Sequence, residues 1–237
     1  MLIDGFTVFG TWPGLQKSHP VDELITGLQK HKLGRACTLS STGIFLDAAS
    51  GNAATLAACA QDARLIPIGT ADPRVGGVGQ VNQCQDQGFT LIALFPQSQG
   101  WAIESLPAQT LLRRIAELEM PLLIEAGGTG DASRIYHAVA DLTMPLLLLD
   151  VSLPTLTEAI AVMQARPNTF LTTRLLTGGD TIERLAAEVG ADRLVFASRF
   201  PMSSYSSAFL TAQYAALKDD ERQAVMGNNL MTLLKVA

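Results

Sequence analysis

The chain has 237 residues, 48% hydrophobic and 16% charged, and its 17 basic against 22 acidic side chains give a formal net charge of −5. That is enough apolar material for a large core and too little charge for a disordered chain, and the lack of any Lys/Arg-rich run excludes nucleic acid as a partner. No stretch approaches the roughly 20 apolar residues of a membrane span, and an opening run containing Asp4 is unlike a signal peptide, so no membrane partner and a cytoplasmic location are expected.

Runs of strand length recur in order at Leu2–Phe6, Arg35–Leu39, Leu65–Thr70, Thr90–Phe95, Pro121–Glu125, Pro145–Asp150, Thr169–Thr173 and Arg193–Ala197. Their near-continuous hydrophobicity, as in Met-Pro-Leu-Leu-Leu-Leu-Asp at 144–150, is what strands covered on both faces by helices require. Between them lie helical patterns. Leu111, Leu112, Ile115 and Leu118 fall on one stripe behind Pro107, Thr155-x-x-Glu158 reads as a capping box, and Asp180-x-x-Glu183 is a weaker relative of it. Gly88 and Gly190 stand where helix ends should release the chain into the next strand. Strand and helix alternate eight times, which predicts an α/β fold, a (β/α)8 TIM barrel forming one domain over 1–237; roughly 250 residues are usual for that fold.

Three cysteines, Cys37, Cys59 and Cys84, are too few and too scattered for a disulfide framework or a thiolate zinc site, and read as small apolar residues. The three histidines, His19, His31 and His137, fall in a loop and in predicted helices, away from strand ends, and read as structural or surface residues.

The C-terminal third carries the most specific pattern. It runs Asn168-Thr-Phe-Leu-Thr-Thr173, then Gly190-Ala-Asp-Arg-Leu-Val-Phe-Ala-Ser-Arg-Phe-Pro201, then Gly227-Asn-Asn-Leu230. In that order and spacing it resembles the amidohydrolase-2 family of metal-dependent hydrolases and decarboxylases, whose last strand commonly reads G-A-D-R-x-x-F-G-S-D-x-P. Gly51-Asn52, Thr70-Ala-Asp-Pro73 and Gly88-Phe89 extend the resemblance over nearly the whole chain. The resemblance implies a cation held by an Ile-Asp-x-His-x-His first strand, histidines ending strands five and six, and an aspartate on strand eight. Here those positions read Ile3-Asp4-Gly5-Phe6-Thr7-Val8, Glu125, about Asp150, and Arg199. A zinc site needs three or four converging N, O or S donors. With two carboxylates left and an arginine in the last ligand's place, no catalytic metal and no cofactor are expected.

In this fold the active-site face lies at the C-terminal ends of the strands. That rule collects Phe6, Ser41, Asp72, Glu125, Asp150, Arg174 and Arg199, with Trp101 in the loop after strand four, and Ser40, Thr42 and Phe95 nearby. Glu125 and Asp150 are the candidate catalytic acid and base; Arg199, Arg174, Asp72, Phe6, Ser41 and Trp101 are candidate substrate-binding residues. Arg199 is equally readable as an internal counter-ion for Asp150 and Glu125, and Arg174 as a solvent-facing residue. Gly127-Gly128-Thr129-Gly130 invites a phosphate-cradle reading, but its spacing fits neither nucleotide fingerprint and a plain loop is expected. Two functions follow. One is a metal-independent hydrolase or isomerase of a small anionic or lactone substrate; the other is a catalytically silent barrel serving as a binding protein. A homodimer is compatible with either.

Overall fold

The computed structural model describes residues 1–14 and 17–235. Its strands are β1 (Ile3–Trp12), β2 (Lys17–His19), β3 (Arg35–Ser40), β4 (Leu65–Pro67), β5 (Gly69–Thr70), β6 (Ile92–Leu94), β7 (Leu122–Glu125), β8 (Leu146–Leu149), β9 (Thr169–Thr172) and β10 (Leu194–Val195). The helices that cross between them are α1 (Val21–Lys30), α2 (Ser41–Phe45), α3 (Ala48–Cys59), α4 (Gly77–Asp86), α5 (Pro96–Gln99), α6 (Leu106–Glu117), α7 (Asp131–Ala138), α8 (Leu156–Ala165) and α9 (Thr181–Val189). After β10 come α10 (Tyr205–Gln213), α11 (Asp219–Gln223) and α12 (Asn229–Leu234).

The strands pair in the order β1-β3-β4 and β5-β6-β7-β8-β9-β10, all parallel. At Ile68 the chain changes neighbours: its N–H donates to Thr38 O at 2.9 Å, whereas Gly69 N–H donates to Leu91 O at 2.9 Å. The expected strand Leu65–Thr70 is therefore two short segments forming one stave of the barrel. The ring closes where Gly5 N–H meets Phe196 O at 2.8 Å and Arg199 N–H meets Phe6 O at 2.8 Å. Gly5 is required at that seam, because a Cβ there would lie 2.8 Å from the Val195 side chain and 3.0 Å from Phe196 O. The result is the expected eight-stave α/β TIM barrel.

Alternation along each strand sorts the apolar residues into two cores. Leu123, Leu147, Leu149, Val195 and Ala197 fill the barrel interior with Phe6, Val8 and Phe95, while Leu122, Ile124, Leu146 and Leu148 pack outward on the helices. This double burial explains why β7 and β8 read as unbroken apolar runs.

The structure corrects some local expectations. The first strand runs on to Trp12 and folds back on β2 in an antiparallel pair, Gly10 opposite His19. Thr155 and Glu158 form no capping box. Glu158 instead accepts Gly130 N–H at 2.9 Å and Ser133 N–H at 2.7 Å, closing the start of the neighbouring helix α7. Glu183 likewise turns away from its own helix and accepts Ala216 N–H at 2.6 Å. Gly88 and Gly190 do adopt positive φ, 81° and 96°, beyond α4 and α9. Asn229, in the C-terminal motif, donates to Ala191 O and Leu194 O at 2.8 Å each, tying α12 to the start of β10.

Among the described residues no helix is long and apolar enough to cross a membrane. Cys37 and Cys84 are buried, Cys59 is half-buried, and burial pushes the thiols of Cys59 and Cys84 up to about 12, as small apolar residues behave.

Candidate functional site

The C-terminal ends of β7 to β10 bring Glu125, Asp150, Arg174 and Arg199 to the barrel mouth. Leu147 and Leu149 face the interior, so an extended continuation of β8 would send Asp150 out toward the helices. Instead Asp150 takes φ 66°, and Arg199 takes φ 59°, a region that costs a non-glycine residue of order 1–3 kcal/mol. The backbone is held there so that both arginines meet one carboxylate: Arg174 through Nε and Nη2 on Asp150 Oδ1, the former at 2.8 Å, and Arg199 through Nη2 on Oδ2.

Arg199 lies over the rings of Phe6, 5.7 Å from the centroid, and Trp12, 5.1 Å away. Burial pulls its guanidinium below the ordinary value; Asp150 opposes that and Arg174 reinforces it. Its Nε is buried without a hydrogen-bond partner, an orphaned donor of the kind that costs about 1–3 kcal/mol. Arg174 does not point into solvent: its side chain is 11% exposed, like that of Asp150.

Glu125 is turned to its other neighbour. Its Oε2 accepts Ser98 N–H at 2.8 Å and its Oε1 accepts the Ser98 hydroxyl at 2.7 Å. It borders a cavity of about 310 Å³, with Trp101, Ile103, Asp131 and Arg134 also in the walls. Trp101 is half-buried, with its Nε1–H on Gln99 Oε1 at 2.8 Å. Neither Arg174 nor Arg199 lines that cavity.

The remaining expected residues do not join the cluster. Asp72 pairs with Arg74, whose guanidinium holds its carboxyl below the usual range, beside a separate small polar cavity shared with Ser98. Phe6 is fully buried beneath Arg199 and against Phe95, so the guanidinium, not the ring, faces the mouth. Ser41 is also buried, packed where Gly10, at φ 106°, leaves no room for a Cβ. In the glycine loop, Gly128 N–H is taken by Asp131 at 2.7 Å and Gly130 N–H by Glu158, so the chain's own carboxylates stand where a phosphate would. His19 bonds Glu23 at 2.7 Å, His31 stacks on Tyr205, and His137 sits beside Tyr136.

Sequence reading missed Trp12, Ser98 and Asp131. Trp12 was legible, since Thr-Val-Phe-Gly-Thr-Trp continues the aromatic and β-branched run of β1. Ser98 lies in the four-residue helix α5 and Asp131 is the first residue of α7, places that no periodicity announces. Among the described residues no three His, Cys, Asp or Glu side chains converge as a metal-ion site requires.

The profile of the amidohydrolase family matches residues 45–235. No curated protein matches the chain. Solved structures similar to it include 2,6-dihydroxybenzoate decarboxylase from Rhizobium (TM-score 0.79, 15% identity, 99% of this chain and 98% of that one). Another is 5-carboxyvanillate decarboxylase from Novosphingobium aromaticivorans, complexed with manganese and 4-hydroxy-3-methoxy-5-nitrobenzoic acid (TM-score 0.79, 14% identity, 100% and 96% covered). A probable 2-pyrone-4,6-dicarboxylic acid hydrolase from Acinetobacter baumannii with citric acid bound gives TM-score 0.76 at 14% identity, with 99% of each chain covered.

Proposed function

This chain belongs to the amidohydrolase family, and from that premise we propose that it recognises a small carboxylated or lactone molecule at the barrel mouth without a metal. The observation that carries the proposal is the convergence of two guanidiniums on the single carboxylate of Asp150, with Glu125 acting on Arg199 only from outside that contact and the Arg199 Nε left without an acceptor. An incoming carboxylate adds a second direct anionic partner for the two guanidiniums. Solved structures of similar fold hold aromatic carboxylates, which is consistent with that ligand class.

The manganese of such a relative does not fit the donors available here. Phe6 and Val8 offer no ligand atom, the oxygens of Asp150 are held by two arginines, and Arg199 sets a fixed positive charge in the same mouth. No step is therefore routed through a cation. In the metal-independent reading Glu125 is the acid–base group: it takes a proton from the water that attacks the lactone carbonyl. The ring C–O bond then breaks and the departing oxygen receives that proton. Asp150 orients the arginines instead of moving protons.

One observation favours a second reading, a silent binding barrel: both oxygens of Glu125 are already engaged by Ser98, and both of Asp150 by arginine. Thermal-shift titration with benzoate, citrate and simple lactones, with and without a chelator, tests the first claim. A ligand at about 100 times its Kd adds about 2.7 kcal/mol. We expect a carboxylate shift that survives the chelator and disappears in Arg199→Met, and lactone turnover that disappears in Glu125→Gln. Binding without turnover selects the silent barrel; a manganese or zinc shift reversed by chelator overturns the metal-free mouth.

A further inference from the structure

The cavity beside β6 and β7 has the opposite electrostatic character to the arginine cluster. Three carboxylates line it, Glu104, Glu125 and Asp131, against one guanidinium, Arg134. That guanidinium is already committed: it bonds Asp131 and lies 3.9 Å from Glu104. The lining therefore carries a net negative charge, which the Arg199 guanidinium, acting on Glu125 from outside the cavity, offsets only in part. Glu125 is only 7% exposed, so its charge acts where water screens it least. Each of its oxygens accepts one bond from Ser98 and retains a lone pair for a further donor. The rest of the wall is apolar and aromatic: Ile103, Ile135 and the indole of Trp101, which the bond to Gln99 fixes in place.

We infer that this cavity is a binding site for a small organic cation, a primary amine carried on an apolar or aromatic body, with the ammonium among the carboxylates and the body against Trp101. A carboxylate ligand is repelled there by the same charges, so the site differs in chemistry from the arginine cluster, although Glu125 lines the cavity, acts on Arg199 and so belongs to both. The cavity volume of about 310 Å³ is at the low end of small-molecule sites. The attraction of a cation to the face of an indole adds to the charge pairing when the ring is partly desolvated.

Isothermal titration at low salt with benzylamine, benzyl alcohol and benzoate tests the inference. Benzylamine is expected to bind at least tenfold more tightly than benzyl alcohol, benzoate is expected not to enter this cavity, and added salt should weaken the benzylamine complex. Glu104→Gln, on a half-exposed turn where folding is not at stake, should weaken benzylamine at least threefold, and Trp101→Leu at least threefold. Arg199→Met should not weaken benzylamine binding, since it removes a cation that competes for Glu125, while it abolishes any carboxylate shift, which separates this site from the proposal above. Equal affinity for benzylamine and benzyl alcohol, or benzylamine binding indifferent to both cavity variants, would overturn it.

Discussion

Two aspartates with little exposure, Asp150 and Asp4, meet the same physical problem in opposite ways. Asp150 is met by two guanidiniums. Asp4, at the seam where β1 meets β10, is fully buried with no cation against it: Phe6 N–H donates to Oδ1 at 3.1 Å, Ser198 N–H donates to Oδ1 at 3.0 Å, and the Ser198 hydroxyl donates to Oδ2. Burial, only partly offset by those bonds, pushes its carboxyl up to about 7. The difference teaches that Asp150 is placed by direct guanidinium contacts, whereas at the fully buried Asp4 three hydrogen bonds do not offset the cost of burying the charge.

The largest way to break the contrast is to remove the shared carboxylate. Asp150→Asn keeps the size and suits the positive φ, since asparagine tolerates that region, but leaves two little-exposed guanidiniums without the anion that both touch. A loss of about 3–5 kcal/mol in unfolding free energy is expected by urea denaturation. An unchanged midpoint would mean that the cluster contributes nothing to the fold.

Asp4 should be read through pH. In the unfolded chain its carboxyl titrates near the ordinary 3.8, in the folded chain near 7, so between those values the folded protein holds a proton that the unfolded one has released. Stability from this group is full below about pH 4, falls as pH rises to about 7, and is flat above. The total change is about 4 kcal/mol at most. Tyr205 and Cys37 feel the charge of Asp4, and both are themselves pushed up, so neither titrates in this window. Asp4→Asn should flatten the decline measured by urea midpoints between pH 4.5 and 8. A variant with the parental slope would place the proton elsewhere.

Much of the barrel was legible because strands buried on both faces leave a one-dimensional signature: the Leu146–Leu149 run had no other reading. The four charged residues at the mouth were legible from their place after strand ends. Their partners were not. That Asp150 would turn inward depends on a backbone angle, and that Glu125 would face Ser98 depends on a four-residue helix, α5, with no periodicity to announce it. Glu158, matched by pattern to its own helix, was claimed by a neighbour that only the tertiary arrangement supplies.

The smallest effect is the sharpest test of whether the two aspartates are separate. Arg199→Lys keeps the positive charge near Asp150 but loses the planar fork and its contact with Phe6 and Trp12, which should cost about 1 kcal/mol. Ser198, the residue before Arg199 in sequence, is the one that bonds Asp4, so the two sites share a backbone segment. Yet the influences that set the Asp4 carboxyl are burial, Ser198 and Phe6, with no contribution from the guanidinium. Combining Asp4→Asn with Arg199→Lys should therefore give the sum of the single effects to within about 0.5 kcal/mol, and Arg199→Lys alone should leave the pH slope of stability in place. A coupling well above that would mean that Arg199 serves both carboxylates, and the proton on Asp4 would then be a consequence of what the arginine does above it.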